Sequence, residues 1–298
     1  MPGRTPIPVL INRGGGAAAA AKRIDRDVAR ALEDANLEGD VNLIDGSECE
    51  ERCRTLVRKG AKLIVVGGGD GTISAAASAL AGTKTVLGVL PLGTLNHFAR
   101  DLGLPTELSE AAVLIAKGRT RKVDLGDMNG RLFLNNSAIG LYPMMVVDRE
   151  KQQKRLGRSK RLAMLVASLR TLARFKHQRL TLSVNKRKGA LDTPLLFVGN
   201  NDYRTDFRAA GARDSLDDGR LSVLVMRKKT RRGLVAAVVR ALFERSRDDD
   251  MVRLDDVAEL KVDSRRGHLE VSLDGEVEQV APPLRYRIRP KALSVIAP

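Results

Sequence analysis

Residues 63–80 constrain the fold of this chain more than any other stretch. The apolar run Leu63-Ile64-Val65-Val66 passes straight into Gly67-Gly68-Gly69-Asp70-Gly71-Thr72, and the helix-compatible run Ile73-Ser74-Ala75-Ala76-Ala77-Ser78-Ala79-Leu80 follows. A short apolar run bounded by glycines reads as a buried strand, and Thr72 is placed as the opening of a helix. Glycine supplies φ > 0 and lets a ligand come close to the backbone. The N–H groups at a helix start form an anion site, so a phosphate is the natural guest of such a turn. A second unit of the same kind follows: Leu87-Gly88-Val89-Leu90 is a strand, and Pro91-Leu92-Gly93-Thr94-Leu95-Asn96 is the turn after it. Two strand–glycine–threonine–helix units in tandem point to a nucleotide held between adjacent strand ends.

The common phosphate motifs do not fit. A dinucleotide fingerprint needs glycine at the sixth position of G-x-G-x-x-G, and counting from Gly67 that position is Thr72. No G-x-x-x-x-G-K-[ST] occurs, and the protein-kinase signature set is missing.

Residues 1–125 alternate strands and helices, with strands at Pro8–Ile11, Asp40–Ile44, Leu63–Val66 and Thr85–Leu90. Helices are expected over 17–35, Glu48–Lys59, Ile73–Leu80 and Leu108–Lys117. Such alternation predicts an α/β domain with a parallel sheet, and ligands of open sheets sit beyond the carboxyl ends of the strands. From about Val123 the pattern turns to closely spaced strands at Arg131–Asn135, Leu180–Asn185, Leu195–Gly199, Leu221–Met226, Val257–Val262, His268–Leu273 and Leu284–Ile288. This predicts a β-rich second domain, an antiparallel sheet or sandwich. The boundaries are set at 1–125 for the nucleotide domain and 126–289 for the β-rich domain.

The 298 residues carry 52 Lys and Arg against 36 Asp and Glu, a net charge of +16. Such an excess favours nucleic acid, anionic lipid surfaces or other acidic partners. Residues 151–188 hold 13 of the basic residues and no acidic ones. Within them Leu162, Leu165, Val166, Leu169, Leu172 and Ala173 fall at helical spacing, so a basic amphipathic helix on an anionic membrane and a plain solvated face both fit. No nucleic-acid-binding signature is visible, and with aromatics at 3% there is little to stack on bases, so no nucleic acid is expected. Cys49 and Cys53 share one helix face without a nearby His, which reads as reduced thiols rather than a metal site. No signal peptide or apolar run of about 20 residues is present, so a cytoplasmic protein, at most peripheral on membranes, is expected.

The two glycine loops, Val66–Thr72 and Leu90–Arg100, resemble those of the diacylglycerol kinase and sphingosine kinase catalytic-domain family, above all its soluble bacterial lipid kinases. The resemblance extends in order to Val9-Leu10-Ile11-Asn12, to Phe133-Leu134-Asn135-Asn136-Ser137-Ala138-Ile139-Gly140, to Ser215-Leu216-Asp217-Asp218-Gly219-Arg220-Leu221 and to Leu273-Asp274-Gly275-Glu276. It implies an α/β nucleotide domain followed by a β-rich domain, with the last residues, about 290–298, returning to the first. It also implies an ATP- and Mg²⁺-dependent lipid kinase that phosphorylates a hydroxyl of diacylglycerol or a sphingoid base in the cleft between the domains.

The site residues follow from the same resemblance. Gly67, Gly68, Gly69, Asp70, Gly71, Thr72, Gly93, Thr94 and Asn96 take the nucleotide. Asp274 and Glu276 are the candidates for the base that accepts the hydroxyl proton, and Asp70 and Asp124 are further acidic members of the catalytic network. Asp218, with carbonyl oxygens near Ser215 and Arg220, is the candidate ligand set for a structural Mg²⁺, a cation that prefers oxygen. Taken alone, Asp274-Gly275 and Asp217-Asp218-Gly219 are also ordinary turn sequences. His97 stands where the family has an aspartate, and no Thr occurs near Leu43-Ile44-Asp45, where the family contacts the nucleotide with one. Two other readings stay open: an NAD kinase, which shares the loop although this chain has no Asn-Glu pair, and an inactive basic scaffold. A homodimer is also left open.

Overall fold

The computed structural model describes residues 6–14, 23–140, 178–184, 187–203, 213, 215–226, 233 and 251–298. The chain divides into two compact units. One comprises Met1–Leu125, Ser215–Asp218 and Arg289–Pro298, and the other Gly126–Asp214 and Gly219–Ile288.

In the first unit β1 (Ile7–Asn12), β2 (Gly39–Ile44), β3 (Leu63–Gly68) and β4 (Val86–Pro91) are all parallel, in the order β2-β1-β3-β4. The helices are α1 (Ile24–Asp34), α2 (Cys49–Arg58), α3 (Asp70–Leu80), the short α4 (His97–Asp101) and α5 (Leu108–Lys117). β3 and β4 are apolar throughout because both faces of the sheet are covered there, whereas the edge strand β2 carries Asp40 and Asn42. On one face Val9, Ile11 and Val65 meet Val28, Ala31 and Leu32 of α1 and Ala111, Ala112 and Ile115 of α5. Ile64 and Val66, which alternate with these, are also fully buried. Burial of each such aliphatic side chain contributes about 1.5–3 kcal/mol. Cys49 and Cys53 of α2 are buried free thiols, and the hydrogen bond to Cys49 together with burial pushes the Cys53 thiol up. The helix expected over 17–35 is described only from Ile24 onwards.

The second unit starts inside β5 (Thr120–Met128), which forms a hairpin with β6 (Arg131–Phe133). Two antiparallel sheets follow. One is six-stranded and contains β7 (Asn136–Gly140), β10 (Leu195–Asn200), β11 (Leu221–Met226), β12 (Met251–Val257), β14 (Leu269–Leu273) and β15 (Glu276–Val280), in the order β12-β11-β10-β7-β14-β15. In the other, β8 (Gln178–Val184) pairs with β9 (Arg187–Thr193) and with β13 (Glu259–Ser264), and β13 pairs with Leu284–Arg287 of β16 (Leu284–Ile296). The two sheets enclose one core, with Ile139, Leu196, Val198, Val223, Val271 and Leu273 from the first and Leu180, Leu182, Leu260, Val262, Leu284 and Tyr286 from the second. Tyr286 crosses this core to Ser137, hydroxyl to hydroxyl at 3.0 Å, and burial pushes its own hydroxyl up. The β-rich expectation is met as a sandwich. At its far end β16 leaves the second unit, and Ser294 and Val295 pair in parallel with Val86 and Leu87 of β4.

Four strands escaped the sequence reading: Thr120–Met128, Arg187–Thr193, Met251–Val257 and Glu276–Val280. Each carries charged residues that blur the period-two alternation. The opposite error occurred at Arg131–Asn135, expected as one strand. It breaks at Leu134-Asn135, whose backbone N–H groups bond a side chain instead of a neighbouring strand. The basic stretch 151–188, with Leu162 to Ala173 and Arg161, Arg170 and Arg174, lies outside the described residues up to 177. Among the described residues no helix is long and apolar enough to cross a membrane.

Candidate functional site

The first glycine loop is tighter than its sequence suggests. β3 runs to Gly68 and α3 begins at Asp70 rather than at Thr72, so Gly69 alone joins them, with φ −88° and ψ −178°. That is extended backbone open to any residue. None of Gly67, Gly68, Gly69, Gly71 and Gly93 has a positive φ, so the expectation that these glycines supply one is corrected. They are needed for space. A Cβ on Gly67 would lie 2.5 Å from Ile11 Cδ1, and one on Gly68 2.7 Å from Thr72 Cβ. A Cβ on Gly93 would lie 2.4 Å from the Cα of Gly69 and 2.6 Å from Asn96 Oδ1. The two loops therefore touch backbone to backbone.

Side chains hold this contact. Asn96 sits in the left-handed region at φ 50° as the residue before α4. Its Oδ1 accepts the Gly93 N–H (2.9 Å), and its Nδ2 donates to the carbonyls of Pro91 (3.1 Å) and Gly93 (3.0 Å). Asn96, predicted to bind nucleotide, thus shapes the loop. Asp70 Oδ1 accepts the Phe98 N–H at 3.3 Å and ties the first loop to α4. Asn12, at the end of β1, donates to Thr72 Oγ1 at 2.7 Å and accepts from Gly14 N–H at 3.0 Å. Thr72 is buried. Thr94 and His97 are exposed. No side chain caps α3, and the first N–H groups of a helix have no partner within it. With the positive end of the helix dipole they can take an anion.

Asp124 is buried; its Oδ1 accepts the Lys291 N–H at 2.6 Å and its own N–H donates to the Leu216 carbonyl at 2.8 Å. It thereby fastens Lys291, at φ 50°, and residue 216 to β5. Asp217 accepts from Arg121 (2.7 Å) and Ser215 Oγ (2.9 Å), and these two hold its carboxyl below the usual carboxylate range. Of the predicted metal set, Ser215 and Asp218 belong to the first unit and Arg220 to the second. Asp218 is exposed, and the Arg220 carbonyl already accepts the Asn201 N–H at 3.0 Å. Among the described residues no three His, Cys, Asp or Glu side chains cluster as metal ligands.

In the second unit, Asp274 and Gly275 form the two-residue turn between β14 and β15, with φ 46° and 92°, and Leu273 pairs with Glu276. Two positive φ values in succession mark the turn type that Asp-Gly favours. The turn reading was therefore right, and the side chains add more. The Asp274 carboxylate accepts three backbone N–H groups, from Leu134 (2.8 Å), Asn135 (2.8 Å) and Asn136 (3.1 Å). Glu276 is exposed, and among the described residues its side chain has no hydrogen bond or ion pair.

The sequence reading missed the residues beneath this turn. Arg213 and Asn200 are buried and bond the carbonyl of Leu134, and Tyr203 packs under the Arg213 guanidinium. The Asn135-Asn136 and Asn200-Asn201 pairs within apolar strands were the available signal, since a buried amide needs partners.

Residues 6–128 match the diacylglycerol kinase catalytic domain, and residues 145–297 match the YegS C-terminal NAD kinase beta sandwich-like domain. A protein of Pseudomonas syringae pv. tomato named as a probable YegS-like lipid kinase is 32% identical over 92% of this chain and 90% of its own length. The diacylglycerol kinase of Bacillus subtilis is 27% identical over 74% of this chain and 73% of its own. A crystal structure from Bacillus anthracis str. Sterne, assigned to the diacylglycerol kinases, aligns with TM-score 0.75 at 23% identity. It covers 98% of this chain and 97% of that one, a likeness of fold. The NAD kinase and inactive-scaffold readings are not favoured by these relatives. With both halves of the architecture and relatives along nearly its whole length, the chain belongs to the family of lipid kinases that join a diacylglycerol kinase catalytic domain to a YegS-type β-sandwich.

Proposed function

We propose that this lipid kinase transfers the γ-phosphoryl group of ATP to a hydroxyl of a lipid such as diacylglycerol or a sphingoid base, with Mg²⁺. The observation that carries the reading is the contact between Gly69 and Gly93 beside the uncapped start of α3. Two backbones at this separation form a cradle that a single methyl group would fill, and N–H groups at a helix start suit phosphate oxygens.

Phosphoryl transfer asks the protein for positioning and charge neutralisation rather than covalent chemistry. The backbone of Gly69 to Thr72 binds the phosphates, and Asn96 and Asp70 keep the two loops in register. Among the described residues Asp70 Oδ2 makes no hydrogen bond, and it is a hard oxygen suited to Mg²⁺. The cation, when bound, offsets the charge that builds on the phosphate oxygens. The accepting hydroxyl must lose a proton, and Asp274 and Glu276 are the carboxylates assigned to it. They differ in availability: Asp274 is engaged by three N–H groups, whereas the Glu276 side chain has no partner among the described residues. The Ser215, Asp218 and Arg220 set is retained as a second, structural Mg²⁺ site.

The face of the six-stranded sheet that points away from the sandwich core is graded in polarity, with Ala138 and Ser222 buried. By register, Asn136, Gly199 and Ser222 form one row at the Asp274 end, and Ala138, Phe197 and Leu224 form the next. A further row contains Leu195 and Met226, so the face grades from polar to apolar along the strands. The basic stretch 151–188 is assigned to an anionic membrane surface.

The deciding experiment incubates the protein with γ-labelled ATP, Mg²⁺ and a lipid extract, and separates the products by thin-layer chromatography. A labelled phospholipid is expected. Label in NADP when NAD is supplied, with none in any lipid, overturns the reading.

A further inference from the structure

Arg213 is only 6% exposed and has no part in the phosphoryl transfer described above. Its Nη1 donates to the carbonyls of Leu134 (2.7 Å) and Asn200 (3.2 Å), and its Nη2 donates to Asn135 Oδ1 (3.0 Å). The guanidinium lies over the Tyr203 ring, 5.4 Å from its centroid. The Leu134 carbonyl also accepts Asn200 Nδ2 at 2.8 Å. On the opposite side of the same segment, Asp274 Oδ1 accepts the Asn135 N–H at 2.8 Å. The peptide group joining Leu134 to Asn135 therefore has a cation on its oxygen and a carboxylate on its hydrogen.

We propose that Arg213 is a positioning residue: through this one peptide group it fixes the Asp274 carboxylate, and with it the Asp274–Glu276 turn, for phosphoryl transfer. The inference rests on the reading of that turn as catalytic. Hydrogen bonds to charged groups are shorter and roughly twice as strong as neutral ones, and bonds in series polarise one another. A peptide charged at both ends is thus held more firmly than the strand break at Leu134-Asn135 would otherwise be. The geometry also calls for arginine. Three acceptors in different directions match the planar fork of a guanidinium, whereas lysine offers a point charge. A residue needed only for packing at this buried position would require no donors.

Arg213→Ala is expected to lower kcat by about 10- to 100-fold, the scale of a displacement near 1 Å in a reacting group. The KM for ATP is expected to hold, because the glycine loops belong to the other unit. Low-millimolar guanidinium should restore part of the lost kcat, and urea or ammonium at the same concentration should not. Arg213→Lys should lose most of the same kcat. Wild-type kcat in both variants overturns the proposal, as does a loss that guanidinium leaves unrescued and that comes with a raised KM for ATP. If Arg213→Ala does not fold, Arg213→Lys and Asn135→Ala decide in the same way, because Asn135→Ala removes the Nη2 acceptor but keeps the N–H that bonds Asp274. Amide hydrogen exchange at Asn135, read without substrate, should accelerate in Arg213→Lys, and unchanged exchange overturns the anchoring. A wild type that labels no lipid overturns the functional reading, while the exchange result still judges the anchoring.

Discussion

Gly93→Ala tests the contact on which the nucleotide reading stands. The added methyl would lie 2.4 Å from the Gly69 Cα and 2.6 Å from Asn96 Oδ1. Carbon atoms pack at about 3.5–4 Å, so the two loops must part by roughly 1 Å. Neither neighbour is the free end of a long side chain. One is backbone, and the other is an amide oxygen that itself accepts the Gly93 N–H. Overpacking of this kind costs about 1–3 kcal/mol. A 1 Å misplacement of phosphate-binding groups costs on the order of 10²-fold in rate. Gly69→Ala is the control, because its methyl would sit 3.4 Å from the Gly93 Cα, close to ordinary contact. The assay measures kcat and the KM for ATP on a lipid substrate, with the unfolding midpoint beside them. Gly93→Ala should show a lower midpoint and a kcat/KM for ATP reduced by about 10²-fold. Gly69→Ala should keep the midpoint, and any rise in its KM for ATP then reports a ligand against that Cα. Wild-type kinetics and stability in Gly93→Ala would refute the loop geometry and the reasoning built on it.

Asp274→Asn and Glu276→Gln should differ in kind. The amide at 274 cannot accept all three N–H groups, so it should lower the unfolding midpoint as well as kcat, each lost charge-assisted bond being worth about 1.5–3 kcal/mol. Glu276→Gln should leave the midpoint alone and, if Glu276 takes the proton, lower kcat by about 10²–10⁴-fold; equal midpoints for the two variants would contradict the structure. Arg121 and Ser215 depress the Asp217 carboxyl, so its stabilisation is present above the unfolded carboxylate value of about 3.9 and is lost as pH falls through the lower folded value. The advantage of wild type over Asp217→Asn, under about 1 kcal/mol for an exposed pair, should thus be seen at pH 6 and shrink as the pH falls below the unfolded value, and a gap independent of pH refutes the assignment. Vesicle binding should rise with anionic lipid, fall with salt, and weaken when Lys154, Arg155, Arg158 and Arg161 become Gln; equal binding to neutral and anionic vesicles would leave the stretch as a solvated face.

Much of the architecture was legible because local chemistry and tertiary environment agreed. Leu63 to Val66 and Leu87 to Leu90 are apolar without alternation, which only a sheet covered on both faces demands, and α5 spans Leu108–Lys117 as its periodicity predicted. The order of the short motifs identified the family because together they place glycine, aspartate and asparagine at spacings that packing alone does not require. What the chain could not reveal by itself was the purpose of each glycine and asparagine. The sequence allowed Gly67 to Gly69 to serve positive φ, whereas the fold needs them because Ile11, Thr72 and Gly93 occupy the space a Cβ would take. Asn96 was legible as a loop residue, but its three bonds into the loop depend on where Pro91 and Gly93 lie in space. The gap is widest at Asp274. Two residues of sequence announce a turn. That its carboxylate interrupts a strand some 140 positions earlier, and that a buried arginine braces the same peptide from the other side, are long-range pairings. Local pattern is blind to such pairings, because hydrogen-bond partners are chosen by three-dimensional proximity and not by separation along the chain.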